Sequence, residues 1–387
     1  MARPLRVLMI SGEYPPMEGG VADFTYLLGR AMADQGAEVH VLAATRARSG
    51  APGPPPICHP IATSWGWGSL YGALRRLLDA VRPDVVNVQY QTAAYGMHPA
   101  TNLLPRAFPR VPFVTTFHDL RVPYLFPKAG PVRWGANLAL ARGSRAVIVT
   151  NAEDREVLAR HRLRRLDMIP IGSNIAPCAP PGDDRAACRT RWGVAADTLL
   201  VGYFGLINAS KGMEELIQAL DDLVRRGYNA ALLIVGGGAG ASDPTNREYV
   251  GRMQGLIAER GLEARVIWTG HLPPEEASTA LACVDICALP YRDGASFRRG
   301  SLMAALAHGL PIVTTDPRVR VPELAHGRTA WLVPPEDPAA LAAGIARLAD
   351  DAVLARSLAA AAAELAREFD WQHIAARTLE VFHGVTA

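Results

Sequence analysis

The apolar residues of this chain fall into short runs that alternate with amphipathic stretches, the rhythm of a parallel α/β protein. LRVLMI (5–10) has strand length, a glycine-containing loop follows, and a helical stretch from about Asp23 to Gln35 ends at Gly36. EVHVLA (38–43) is the second strand, and residues 49–60, rich in Pro and Gly, predict an irregular loop. A helix over 69–81 and strands DVVNVQ (84–89), PFVTTF (112–117) and RAVIVT (145–150) continue the series. Strands this continuously apolar are buried on both faces, which places helices on both sides of the sheet.

Residues 176–186, with Pro177, Pro180, Pro181 and Gly182, interrupt the pattern and predict an interdomain linker. The rhythm then restarts with LLVGYFG (199–205), a helix over 213–226, NAALLIVGGG (229–238), a helix near 246–260 and RVIWTG (265–270). A helix at 274–283, DICALP (285–290), a helix around 300–308, LPIVTT (310–315), TAWLV (329–333) and Ala-rich helices from 338 to about 368 complete it. The reading is two Rossmann-like parallel-sheet domains, 1–175 and 186–369, with a closing segment at 370–387. Parallel sheets bind ligands beyond the carboxyl ends of their strands, so two such sheets facing each other would hold a ligand in the cleft between them.

At 387 residues the chain is long enough for two or three domains, and 49% hydrophobic with 20% charged residues suits a soluble α/β protein. No apolar run approaches the roughly 20 residues of a membrane span. The N-terminal apolar stretch is too short for a signal peptide and runs into Glu13, so a cytoplasmic location is expected. Cys58, Cys178, Cys188, Cys283 and Cys287 are scattered, and no second Cys or His pair accompanies the last two. Reduced, mostly buried thiols are expected and zinc is not. Residues 1–175 carry 20 Arg and Lys against 12 Asp and Glu, and the remainder 20 against 25. That asymmetry fits an anionic partner for the first half, including peripheral contact with an anionic membrane at its inner face, or else simply solvated basic helix faces. A nucleic-acid partner is not expected. Trp65 and Trp67, beside Arg75, Arg76 and Arg82, either touch a membrane interface or sugar or close a small apolar cluster.

Four loops carry candidate chemistry. In GEYPPMEGGVADF (12–24), Gly19 and Gly20 let backbone N–H groups approach an anion at a helix N-terminus; the alternative is a plain turn before a capped helix. The loop is not the GxGxxG dinucleotide fingerprint. In FGLINASKGMEELIQAL (204–220), Gly205 ends a strand, Ser210 is placed to cap a helix, and Lys211-Gly212 fall in its first turn. The helix dipole disfavours a cation there unless an anion balances it, and only Lys128 and Lys211 are lysines in a chain that otherwise uses arginine. Lys128 reads as a solvated surface residue. In ALPYRDGASFRRGSLMAALAHGLPIVTTD (288–316), Gly300 and Ser301 open an apolar helix. The Ser301 amides and Arg298 or Arg299 form a candidate phosphate clamp. In TFHDL (116–120), His118 and Asp119 lie just past a strand, where His118 is a hydrogen-bond donor to a sugar hydroxyl or a base.

Taken in order, these segments resemble the retaining GT-B glycosyltransferases of family 4 over nearly the whole length. The similarity lies in the PP-x-x-GG loop at 15–20, His118, IPIGSNI (169–175) as the hinge, and the loop ending in Lys211-Gly212. It continues through RVIWTGHLP (265–273) with Gly270 and His271, RVPELAHGRTAWLVPPEDPAALAAGI (320–345) with Glu323, and FDWQHIA as a helix crossing back to the first domain. The resemblance implies metal-independent transfer of a hexose from a nucleoside diphosphate sugar, with retention, to a glycan, lipid-linked or small-molecule acceptor, and no cofactor. It implies Lys211 and His118 as catalytic residues, and Arg299 is expected beside them as the substitute for the family's phosphate arginine. Gly19, Gly20, Gly205, Asn208, Gly270, His271, Asp293, Ser296, Arg298, Gly300, Ser301 and Glu323 would bind the donor, and Tyr14, Asp23, Gln89, His118 and Asp119 the acceptor. Two departures stand out. Leu206 occupies a position where the family commonly has arginine, and Ser296 and Ala304 stand where it has two glutamates. Asp293 or Ser296 is then expected to hold the sugar hydroxyls, and Arg298 or Arg299 to replace the phosphate arginine. The same losses also fit a weak or inactive relative that binds nucleotide sugars or serves as a scaffold subunit.

Overall fold

A computed structural model describes residues 3–17, 19–47, 56–120, 130–178, 185–236 and 244–386. The chain divides into two compact units, Met1–Gly172 with Trp371–Ala387, and Ser173–Asp370.

In the first unit the strands are β1 (Arg6–Ser11), β2 (Glu38–Ala44), β3 (Ile57–Ala62), β4 (Val85–Tyr90), β5 (Phe113–Phe117), β6 (Ala146–Val149) and β7 (Leu166–Met168). Its helices are α1 (Gly20–Asp34), α2 (Trp67–Val81), α3 (Leu104–Ala107), α4 (Gly130–Gly143) and α5 (Ala152–Ala159). All pairings are parallel, in the order β3-β2-β1-β4-β5-β6-β7. Side chains alternate across the pleat, so β1 feeds two cores. Leu8 and Ile10 pack with Leu70, Leu74 and Leu140 on one face, and Val7 and Met9 with Phe24, Leu28 and Met32 on the other.

In the second unit the helices are α6 (Arg185–Arg191), α7 (Met213–Arg225), α8 (Pro244–Glu259), α9 (Pro274–Ala282), α10 (Gly300–Ala307), α11 (Pro338–Asp350) and α12 (Ala352–Ala366). They flank β8 (Leu199–Gly205), β9 (Ala230–Gly236), β10 (Val266–Gly270), β11 (Ile286–Leu289), β12 (Ile312–Thr315) and β13 (Trp331–Val333), again all parallel, ordered β10-β9-β8-β11-β12-β13. The last helix, α13 (Trp371–Thr386), returns to the first unit, where Ile374, Ala375 and Phe382 are fully buried in the core that holds Phe24 and Leu28.

The fold corrects several expectations. Residues 57–60 belong to strand β3 rather than a loop; β3 lies at the sheet edge, where Pro60 is tolerated because one side of the strand has no ladder to lose. The expected linker is shorter than 176–186. Helix α6 begins at Arg185, and Cys178 N donates to Ser278 Oγ at 2.8 Å within the second unit; 179–184 lie outside the described residues. Cys188 and Cys283 are not reduced thiols but a disulfide between α6 and the end of α9. Their sequence separation of 95 hides a pairing that only the packing of α6 on α9 creates. Cys58, Cys178 and Cys287 remain free. Trp65 meets Tyr95 and Trp67 meets Tyr71 and His98 edge-on, so both join an aromatic cluster. Lys128 lies outside the described residues.

Candidate functional site

In each sheet the strand order reverses once, between β1 and β4 and between β8 and β11. Loops leaving neighbouring strands diverge at such a point and open a crevice. In the second unit those loops are 205–212 and 290–299, which carry the cationic candidates. They interlock: Arg292 N donates to Ser210 O at 3.1 Å, and a Cβ on Gly212 would fall on the Pro290 carbonyl. Gly212 also has φ +72°, a left-handed conformation costly for other residues.

Lys211 does not sit in the first turn of α7. It ends a short 3-10 turn, Ala209–Lys211, and Gly212 caps α7. Nor does Ser210 cap that helix; Asn208 Oδ1 accepts from Ser210 N at 3.1 Å and from Ser210 Oγ at 2.8 Å, because an Asx turn competes with the helix for those donors. The result aims Lys211 at Tyr291, with Nζ 5.1 Å from the ring centroid. Arg299 reaches the same ring, with Cζ at 5.0 Å. Tyr291 is fully buried, and its hydroxyl meets Ser301 Oγ at 2.6 Å, where α10 begins. Two cations and a helix N-terminus therefore converge on one aromatic platform.

Asp293 pairs with both Arg298 and Arg299 and so holds the two arginines in place. Arg299 Nε is nevertheless buried without a hydrogen-bond partner among the described residues. An unmet buried donor costs about 1–3 kcal/mol and points to an anionic ligand. Burial holds the Lys211 ammonium down to about 7; Arg299 adds to the fall, Asp293 opposes it and Arg298 adds again. The charge of an anion bound there offsets the burial and the two neighbouring guanidinium groups, so binding near and above pH 7 takes up a proton. Affinity for a nucleoside diphosphate is expected to fall by up to about tenfold per unit as pH rises above 7. Isothermal titration in buffers of different ionisation enthalpy reads the proton directly; a constant affinity from pH 6 to 9 would contradict it.

Ser296 Oγ accepts from Arg298 N at 3.4 Å, and Ala304 is fully buried in α10. Leu206 is 47% exposed where the arginine was expected. Gly270 and His271 are exposed at the end of β10, on the far side of β9 from Gly205. Glu323 is exposed in the segment before β13, with its carbonyl bonded by Thr329 Oγ1.

In the first unit, Tyr14, Gly19, Gly20, Asp23, Gln89, His118 and Asp119 follow or close the adjacent strands β1, β4 and β5. The Gly19-Gly20 turn is not empty: the Glu13 carboxyl lies where a Gly19 side chain would be. Burial, then the Asp23 charge, raises the Glu13 pKa, and Glu13 was not among the residues singled out by sequence. Tyr14 is buried against Tyr26. His118 packs edge-on to Phe24 at 4.7 Å, and its Nε2 meets Gln89 Oε1 at 2.7 Å. Burial lowers its pKa to about 4. Tyr291, the platform of the second unit, was also missed; its one signal was its place directly after the strand-ending Pro290.

Among the described residues no helix is long and apolar enough to cross a membrane. Residues 18–176 match the model of Glycosyltransferase Family 4, and 198–351 that of Glycosyl transferases group 1. A D-inositol 3-phosphate glycosyltransferase of Corynebacterium efficiens is 31% identical over 227 residues, covering 57% of this chain and 51% of that protein. A GDP-mannose-dependent alpha-(1-6)-phosphatidylinositol monomannoside mannosyltransferase of Mycolicibacterium smegmatis is 27% identical over 329 residues, 74% of this chain and 83% of that one. The chain spans about half the length of the inositol phosphate enzymes it matches, 51% and 57% in two of them. Among solved structures, Anabaena HepE in complex with UDP and glucose aligns over 98% of this chain and 100% of that one, with TM-score 0.77 and 20% identity. Sucrose-phosphate synthase from Thermosynechococcus elongatus aligns over 98% of both chains with TM-score 0.73, also at 20% identity. With each unit matched by its own family model and the fold shared end to end, the chain belongs to the group 1, family 4 glycosyltransferases of GT-B architecture.

Proposed function

We propose that the chain transfers a hexosyl unit from a nucleoside diphosphate sugar to a glycan, lipid-linked or small-molecule acceptor, with retention and without a divalent metal. The observation that carries this reading is the pairing of Lys211 and Arg299 on Tyr291 beside the start of α10. Fixed cations and helix N–H groups aimed at a diphosphate stabilise its growing charge as the glycosidic bond breaks, the task a metal performs elsewhere. The departing phosphate then takes the acceptor's proton on the face it leaves, so no carboxylate nucleophile is required. Arg299 stands in for the arginine that Leu206 replaces. In the first unit, His118 meets a sugar hydroxyl.

The acceptors named for the relatives, inositol phosphate and phosphatidylinositol mannoside, favour an acceptor that carries phosphate. A lipid-linked acceptor would bring the basic first half to an anionic membrane from the cytoplasmic side.

Donor hydrolysis and transfer measured across UDP-, GDP- and ADP-sugars test the reading. One donor class is expected to turn over, with activity unchanged in excess chelator; complete loss restored by magnesium would refute the metal-free scheme. Arg299→Ala is expected to weaken nucleoside diphosphate binding by about tenfold or more, the value of one charge-assisted contact. Unchanged affinity in that variant would move the role to Arg298.

A further inference from the structure

A buried line of amides runs behind His118, and its polarity can be read from one end. Asn87 Nδ2 is 3.1 Å from the carbonyl of Val114, a group that only accepts, so the Asn87 amide nitrogen faces it. The same nitrogen is 3.1 Å from Thr116 Oγ1. Asn87 Oδ1 therefore points the other way and accepts from Gln89 Nε2. That leaves Gln89 Oε1 for His118 Nε2 at 2.7 Å, and a carbonyl oxygen there requires a proton on Nε2. Asn87 and Gln89 are fully buried, so neither amide has water as an alternative partner. Phe24 faces the ring from α1, and Trp371 packs on Phe24; burial alone accounts for the depressed His118 pKa. A neutral ring with its proton on Nε2 has a bare lone pair on Nδ1, and no described residue bonds that atom.

We propose that Gln89 and Asn87 are positioning residues that fix His118 as the neutral Nε2–H tautomer, so that Nδ1 faces the ligand as an acceptor only. The group that meets it is then a donor, a sugar hydroxyl, and not a carboxylate or phosphate. This rules out His118 as a hydrogen-bond donor to the sugar, one of the two roles its sequence context left open, and it rests on the proposed transferase reading for the identity of the ligand.

The test is nitrogen NMR of the whole protein labelled with 15N-histidine, with His118→Ala to assign the signals. At pH 7 His118 is expected to show a pyridine-like Nδ1 and a pyrrole-like Nε2. A pyrrole-like Nδ1, or a doubly protonated ring, would overturn the proposal on the unmodified protein. Gln89→Glu places a carboxylate at Nε2 and is expected to hold the ring doubly protonated at pH 7, because an adjacent negative charge favours imidazolium. Transfer is then expected to fall about tenfold or more as the acceptor at Nδ1 is lost. A Gln89→Glu protein that keeps the neutral ring would overturn the relay. If instead the tautomer is as stated but His118→Ala leaves transfer unchanged, the relay stands and the catalytic assignment of His118 fails.

Discussion

Replacing Lys211 by alanine is expected to cut sugar transfer by about two orders of magnitude or more, the scale of losing one preorganised electrostatic stabiliser. Lys211 is the sole lysine of the second unit and one of two cations over Tyr291. Its place is set by backbone: the Asn208 turn and the Gly212 cap fix the chain on both sides of it. The loss should appear mainly in kcat, since charge on the leaving diphosphate grows in the transition state. The pH dependence of nucleoside diphosphate affinity above pH 7 should vanish with it, because the group that takes up the proton is gone. Near-normal turnover in this variant would remove Lys211 from the site. Lys211→Arg is not a conservative rescue, since a planar guanidinium differs in shape and donor geometry from an ammonium.

Gly212→Ala is expected to be as damaging to activity and to cost stability as well. Its Cβ would land on the carbonyl oxygen of Pro290, a backbone atom that no rotamer change can move aside. The positive φ adds roughly 1–2 kcal/mol of its own. The loops after β8 and β11 would have to separate, taking Lys211 away from Arg299. A fall of at least about 3 kcal/mol in stability, with transfer lost to the level of Lys211→Ala, is the expected outcome. Denaturant unfolding and a transfer assay on the same preparation check it. A protein of unchanged midpoint and rate would show that the two loops do not interlock. Gly20→Ala is the control: nothing lies within 4 Å of its Cβ, so no clash is expected.

The loops that carry the site were legible in the sequence because glycines, an isolated lysine and a helix-opening serine gather where strands give way to helices. Their geometry was not. The first-turn position of Lys211 followed from treating 210–212 as helix, and the Asn208 side chain overrode that by capturing the donors at Ser210. Sequence does not show that Arg298 and Arg299 both turn back onto Asp293. The sequence does not mark Tyr291, since an aromatic after a strand is ordinarily core, and its use as a platform depends on Lys211 and Arg299, 88 positions apart, meeting over one ring.

The alternating α/β rhythm, the two-unit division and the family were written in the sequence, because apolar period and glycine placement are local properties, whereas the edge strands β3 and β7 and helices α3 to α6 were not. The disulfide of Cys188 with Cys283, the Glu13 carboxyl lying against Gly19 and the amide line from Asn87 to His118 were decided by tertiary structure alone. Each joins atoms brought together by strand pairing or helix packing, or turns on the direction of a side chain, and neither is a property of residue spacing.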